Sequence, residues 1–337
     1  LKVKTSNLCS EITLPTGIDN TGRERTAVCC LSSLNIETYD EWKDDTMFID
    51  DVMRFLDNVM SDFINRAPDS FSNAKYSAMR ERSVGLGVMG LHSFFQQKNI
   101  PFGSVMSKVW NQKIFKHIQE KADQASVKLA EERGSCPDAE EYGIKERFSN
   151  KTAIAPTASI SIICGGASPG IEPIAANSYT HKTLSGSYNV RNKYLAKILE
   201  KHGKNDDETW SSITTNQGSV SHLDYLSDIE KDTFKTAFEI DQRWIVELGA
   251  DRTPNISQAQ SINVFVPADI HKKDLHQIHF QAWKKGLKSL YYCRSKSIQR
   301  AENVNTGSST DVTKNVYKAN KESTNEENKY EECLSCQ

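Results

Sequence analysis

Six residues near the start of this 337-residue chain, Asn7-Leu8-Cys9-Ser10-Glu11-Ile12, put an amide, a thiol and a carboxyl on alternate positions. Alternate side chains of an extended segment point the same way. A hydrogen-bonding amide, a one-electron or nucleophilic sulfur and a candidate general base would then share one face of a loop. A buried cysteine between two polar loop residues is the plainer account of the same pattern. Further thiols stand at Cys29-Cys30, at the head of an apolar run, and at Cys333-Leu334-Ser335-Cys336, the last motif of the chain. In Ala155-Pro156-Thr157-Ala158-Ser159-Ile160-Ser161, a proline and three hydroxyls follow a short apolar stretch. This is the composition of a helix N-terminus, whose unpaired N–H groups form an anion site, although ordinary caps use the same residues. Tyr291 and Tyr292 are adjacent on what reads as a strand. Two such tyrosines usually pack half-buried with wet hydroxyls.

The elements that must position these groups follow from periodicity. Phe48, Val52, Phe55, Leu56, Val59, Met60 and Phe63 recur at three and four, predicting one amphipathic helix over 39–66 with this stripe in the core. Helices are also predicted over 91–97, 104–133 (stopped by Gly134), 194–201, 225–248 and 274–286. The apolar run after Cys29 and the stretches 151–155, 261–266 and 288–293 read as strands. Residues 81–90 superficially look like a phosphate loop, but the glycine spacing fits neither dinucleotide nor Walker patterns, and close helix packing is the expected use. Strands alternating with helices predict an α/β fold with parallel strands. A regular strand would send Tyr291 and Tyr292 to opposite faces, so a stacked pair requires a local departure. Residues 303–332 are rich in Asn, Ser, Thr, Glu and Lys, a disordered-tail composition that divides the chain into 1–302 and a tail at 303–337. About 30 flexible residues reach about 30 Å, enough for a tethered dithiol to visit a buried disulfide and swing out to a reductant.

With 37% hydrophobic and 26% charged residues the chain can bury a sizeable core. A net charge of −2, from 42 basic and 44 acidic residues, gives no general field for nucleic acid or an anionic membrane, so phosphate recognition must be local. No apolar run approaches the roughly 20 residues that span a bilayer. No basic-then-apolar leader opens the sequence, so a cytoplasmic location is expected. Eight cysteines in that setting suit reduced thiols and redox chemistry. Only Cys333 and Cys336 have zinc-ligand spacing, without a second pair nearby, so structural zinc is not expected.

Taken in order, the Asn7–Ile12 stretch, Ala27-Val28-Cys29-Cys30-Leu31-Ser32-Ser33-Leu34-Asn35, the 155–161 stretch, Gly170-Ile171-Glu172-Pro173, Leu290-Tyr291-Tyr292 and the terminal Cys-x-x-Cys resemble the C-terminal half of the large (alpha) subunit of class I ribonucleotide reductase. The likeness runs from about residue 6 to 302 and resumes at the last five residues. It implies the second half of a ten-stranded α/β barrel, with the cysteine loop as a finger at its N-terminus. The implied activity is thiyl-radical reduction of ribonucleoside diphosphates to deoxyribonucleotides. By the same likeness Cys9 is the radical cysteine, Glu11 the base, Asn7 a hydrogen-bond partner of the sugar, and Tyr291 and Tyr292 the electron relay. Cys29 is one member of the active-site dithiol, with Cys30 as an extra thiol, and Cys333 and Cys336 recycle the disulfide. Thr157, Ala158, Ser159 and Ile160 would hold the substrate diphosphate.

The resemblance also implies partners: an N-terminal half of the large subunit with the other thiol and the allosteric nucleotide sites, a radical-generating small (beta) subunit that carries the metal site, and a thioredoxin- or glutaredoxin-like reductant. The chain is expected to be one half of a divided subunit or a trimmed piece. Two other readings stay open on sequence alone, a cobalamin-dependent reductase fragment and a non-enzymatic thiol or zinc module.

Overall fold

The computed structural model describes residues 2–183 and 186–295. The proposed tail at 303–337, with Cys333 and Cys336, lies outside the described residues. Five parallel segments form the frame, side by side in chain order. Leu31–Asn35 pairs with Gly85–Met89 from Leu31↔Gly85 to Asn35↔Met89. Gly85–Met89 is bridged to the 152–154 segment at Leu86↔Thr152, and that segment to the next at Ile154↔Gln260. Val264–Val266 then pairs with Cys293–Ser295. Five parallel segments separated by helices match the half-barrel that the resemblance implies for this chain.

Gly85–Met89 is a fully buried strand, where close helix packing was expected. Its glycines answer to crowding inside the sheet. A Cβ on Gly85 would lie 2.3 Å from Leu31 Cδ2, and one on Gly87 would lie 2.3 Å from the Ala153 carbonyl oxygen. Neighbouring chains approach so closely that a side chain has no room.

The predicted helix over 39–66 breaks, with a short helix Tyr39–Trp42 preceding Phe48–Arg66. In the latter Ile49, Met53, Leu56 and Met60 form the buried stripe, while Phe55 and Val59, assigned to the core from sequence, are 61% and 42% exposed. The apolar pattern is wide enough to fit two faces, and packing against Val105–Arg133 selects one. That long helix starts at a capping box in which Ser104 and Ser107 bond each other's backbone. The helix expected over 225–248 is two, Asp228–Thr233 and Gln242–Arg252. An antiparallel hairpin, Ser178–Thr183 with Gly186–Arg191, was not anticipated. Next to it a small satellite core gathers around Leu195, Trp210, Ile213 and Phe234, separate from the main core that packs against the strands.

Candidate active site

The finger loop is a tight turn, and the extended segment expected from sequence is corrected. The backbone N–H of Ser10 donates to the Asn7 carbonyl at 3.1 Å, and Ser10 has φ +67°. The Asn7 side-chain oxygen closes the turn by accepting from the Ile12 N–H at 3.0 Å. The two acidic or sulfur groups of interest still end in the interior, with Cys9 1% and Glu11 3% exposed. Leu8, between Asn7 and Cys9, is 62% exposed.

The loop is fastened to the fourth and fifth segments of the frame by neutral groups. Ser261 Oγ lies within hydrogen-bond reach of both the Cys9 carbonyl and Glu11 Oε2, the latter at 3.2 Å. Ser289 Oγ donates to the Ser10 carbonyl at 2.8 Å. The Ala259 N–H donates to the Glu11 carbonyl at 2.9 Å, and Gln258 Oε1 accepts from the Thr13 N–H at 3.2 Å. Ser261 and Ser289 were not singled out from sequence. A lone serine on a strand carries no signal until its loop partner, some 250 residues away in Ser261, is known.

Tyr291 and Tyr292 are stacked, with ring centroids 4.0 Å apart and planes at 33°. The departure from regular strand geometry is a β-bulge. The Tyr291 N–H donates to the Ile262 carbonyl at 2.8 Å, and in a regular parallel ladder the Val264 N–H would return to the Tyr291 carbonyl. It goes instead to the carbonyl of Tyr292, at 2.9 Å, so two residues stand opposite Asn263 alone. The displaced N–H of Tyr292 is taken by Asn263 Oδ1 at 3.0 Å. Burial raises the Tyr291 phenol well above its ordinary value, with hydrogen bonds to Tyr292 and to Cys9 adding to it. Tyr292 is 45% exposed, Tyr291 is half-buried and Cys9 is buried, so three redox-capable groups in contact lead from solvent to the interior. The Arg294 guanidinium lies 5.7 Å from the Tyr292 ring centroid.

Cys29 is exposed and Cys30 is half-buried just before the Leu31–Asn35 strand. The Cys30 thiol points at the Leu56 carbonyl, 4.0 Å away, and burial pushes it up to about 11, Arg82 opposing and Asp57 adding. Of the pair, Cys29 is the more accessible thiol.

Residues 157–160 form a turn leading into a single helical turn, Ile160–Ile163. Thr157 has φ +56°, and its hydroxyl accepts from the Gly170 N–H at 2.7 Å, tying the turn to the Gly170–Pro173 signature. Ala158 and Ser161 line a cavity of about 870 Å³ that also reaches Glu172, Phe265 and Arg294. Glu172 accepts a hydrogen bond from the Asn263 side-chain amide, and burial raises its carboxyl despite that bond and the nearby Arg294. Among the described residues no group of three or more His, Cys, Asp or Glu is arranged to hold a metal ion, and no helix is long and apolar enough to cross a membrane.

The sequence profile of the family described as "Ribonucleotide reductase, barrel domain" matches residues 1–143 and 138–293. The ribonucleoside-diphosphate reductase large subunit of Invertebrate iridescent virus 6 is 51% identical over 302 residues, covering 88% of this chain and 31% of its own length. That of Invertebrate iridescent virus 3 is 43% identical, covering 92% of this chain and 49% of its own length. In three dimensions the chain is similar to an Actinobacillus ureae class Id ribonucleotide reductase alpha subunit, with a TM-score of 0.80 and 40% identity over 88% of this chain and 54% of that one. The chain thus spans about a third to a half of the length of these relatives.

Proposed function

The chain belongs to the ribonucleotide reductase barrel-domain family, and from that premise we propose that it is the C-terminal part of a ribonucleoside-diphosphate reductase large subunit, carrying the radical cysteine and its relay. The observation that carries the reading is the contact series Tyr292, Tyr291, Cys9, graded from exposed to buried. An oxidising equivalent arriving at Tyr292 passes to Tyr291. The Tyr291 phenoxyl then takes hydrogen from the Cys9 thiol to which it is hydrogen-bonded, leaving a thiyl radical. The thiyl takes the 3′ hydrogen of the ribose while Glu11 accepts the 3′ hydroxyl proton. The C2′–O bond breaks with loss of water. Cys29 and a partner thiol from the rest of the subunit supply two hydrogens and become a disulfide, Cys9 returns hydrogen to C3′ and Glu11 its proton to O3′, and the re-formed thiyl radical passes back to Tyr291. Exclusion of water protects the radical, and a thiol 1% exposed meets that demand.

The diphosphate is assigned to the turn of Thr157, Ala158, Ser159 and Ile160, beside the cavity. The remaining parts are an N-terminal half, a radical-generating small subunit that holds the metal, and a thioredoxin- or glutaredoxin-like reductant. Cys333 and Cys336 would pass electrons from that reductant to the disulfide by thiol exchange. In an enzyme assembled from these parts, Cys9→Ser and Tyr291→Phe should each abolish deoxyribonucleotide formation while leaving the melting temperature and small-subunit binding unchanged. Product from Cys9→Ser would sink the reading. Cys333→Ser with Cys336→Ser should complete about one round from the pre-reduced state and then stall with a protein reductant but not with a small dithiol.

A further inference from the structure

The Gly170–Pro173 signature has no role in the chemistry above, yet its carboxylate reaches the relay. Glu172 accepts from the Asn263 side-chain Nδ2, and the Oδ1 of that same amide accepts from the bulged N–H of Tyr292 at 3.0 Å. We propose that Glu172 and Asn263 are positioning residues for electron transfer, setting the β-bulge that stacks Tyr292 on Tyr291; this rests on the relay reading of that pair.

The argument is one of satisfied donors and fixed amide orientation. A bulge leaves one N–H outside the ladder, and a part-buried N–H without an acceptor is unfavourable. Asn263 stands opposite the bulge and is 2% exposed, so its side chain is the acceptor at hand. An amide can present either its oxygen or its nitrogen. Glu172, an acceptor, holds the nitrogen on its own side and thereby turns the oxygen toward Tyr292. Phe265, two residues beyond Asn263, bonds in the same way through its N–H to the Gln242 side chain at 2.6 Å, which ties the segment to the helix Gln242–Arg252 just past the bulge. Arg294, close enough to Glu172 to act on its charge and lying over the Tyr292 ring, connects the same carboxylate to the exposed end of the pair. With the amide turned or lost, Tyr291 and Tyr292 return toward opposite faces and the contact opens.

The proposed role acts through the tyrosine pair, so the effect belongs in the rate of radical arrival. In the enzyme assembled with the rest of the large subunit and a small subunit, Asn263→Ala should lower kcat about 100-fold, as expected for a misplacement near 1 Å. Its KM for the diphosphate and its affinity for the small subunit should be unchanged. Glu172→Ala should fall about tenfold, a smaller loss because the amide remains but is no longer oriented. Glu172→Gln keeps an acceptor for the Asn263 amide and should restore near wild-type turnover. Wild-type kcat in Asn263→Ala, or parallel loss of nucleotide binding and kcat, would overturn the assignment. A crystal structure of the Asn263→Ala chain gives a check that needs no activity: rings parted beyond their 4.0 Å separation support the proposal, and rings still stacked refute it. A wild-type assembly without reductase activity would count against the proposed function alone, since the ring geometry is read independently.

Discussion

The molecule treats two thiol regions in opposite ways. Cys9 is sealed from solvent, on a finger loop fastened by hydrogen bonds such as that of Ser261 to its carbonyl, and in contact with a phenol. Cys29 sits exposed at the mouth of the first parallel strand, with Cys30 turned under it toward the core. The difference matches the chemistry proposed for each site. Hydrogen-atom transfer needs an S–H kept dry, whereas thiol–disulfide exchange proceeds through a thiolate that a second thiol can reach. Burial and exposure therefore separate two uses of one side-chain type.

The largest effect that could break this contrast comes from exchanging the roles of the adjacent thiols. Cys29→Ser should abolish multiple-turnover reduction, while Cys30→Ser should keep most of it. Equal loss in both would erase the distinction. Iodoacetamide followed by peptide mapping supplies the matching observation on the folded chain. At pH 8 a thiol held at about 11 is roughly 0.1% ionised, so Cys30 should be labelled far more slowly than Cys29.

A middle-sized effect is expected at the buried site. Ser261→Ala leaves the Cys9 carbonyl and Glu11 without their shared hydroxyl. An unpaired buried acceptor costs about 1–3 kcal/mol, so kcat should fall about 10- to 100-fold, with Ser261→Thr recovering most of it.

The smallest concerns Glu81, which shares a small void with Val28. Burial lifts its carboxyl to about 7, with Arg25 and Ser83 pulling the other way. Its folded-state value lies above the unfolded one, so the folded chain holds a proton that the unfolded chain releases. This contribution to stability is fully present below about pH 4.5 and is lost as pH rises through about 7. Urea unfolding at pH 5 and pH 8 should show a difference on the order of 2 kcal/mol that Glu81→Gln removes. An unchanged pH slope in Glu81→Gln would remove Glu81 from the account.

How much of this could be read from the chain depends on the range of the interaction involved. Asn7, Cys9 and Glu11 are legible because they sit together in sequence, and the long helix ending at Arg133 is legible because Ser104 and Gly134 bracket it. The Gly85–Met89 strand was missed because its glycines record the nearness of Leu31 and Ala153, not a local preference. The stacking of Tyr291 on Tyr292 was flagged as needing a departure that sequence could not supply. Its cause is a single amide 29 positions away, with no periodicity to announce it. Ser261 and Ser289 were invisible for the same reason.

The fastening of the finger loop also bears on how the site responds to salt. Asn7, Gln258, Ser261 and Ser289 are all uncharged, so the bonds that hold the loop contain no ion pair for electrolyte to screen. The Arg54–Glu132 pair that joins Phe48–Arg66 to Val105–Arg133, by contrast, is 27% and 40% exposed, and its attraction weakens with ionic strength. High salt would then loosen the helical shell before it loosens the loop around Cys9.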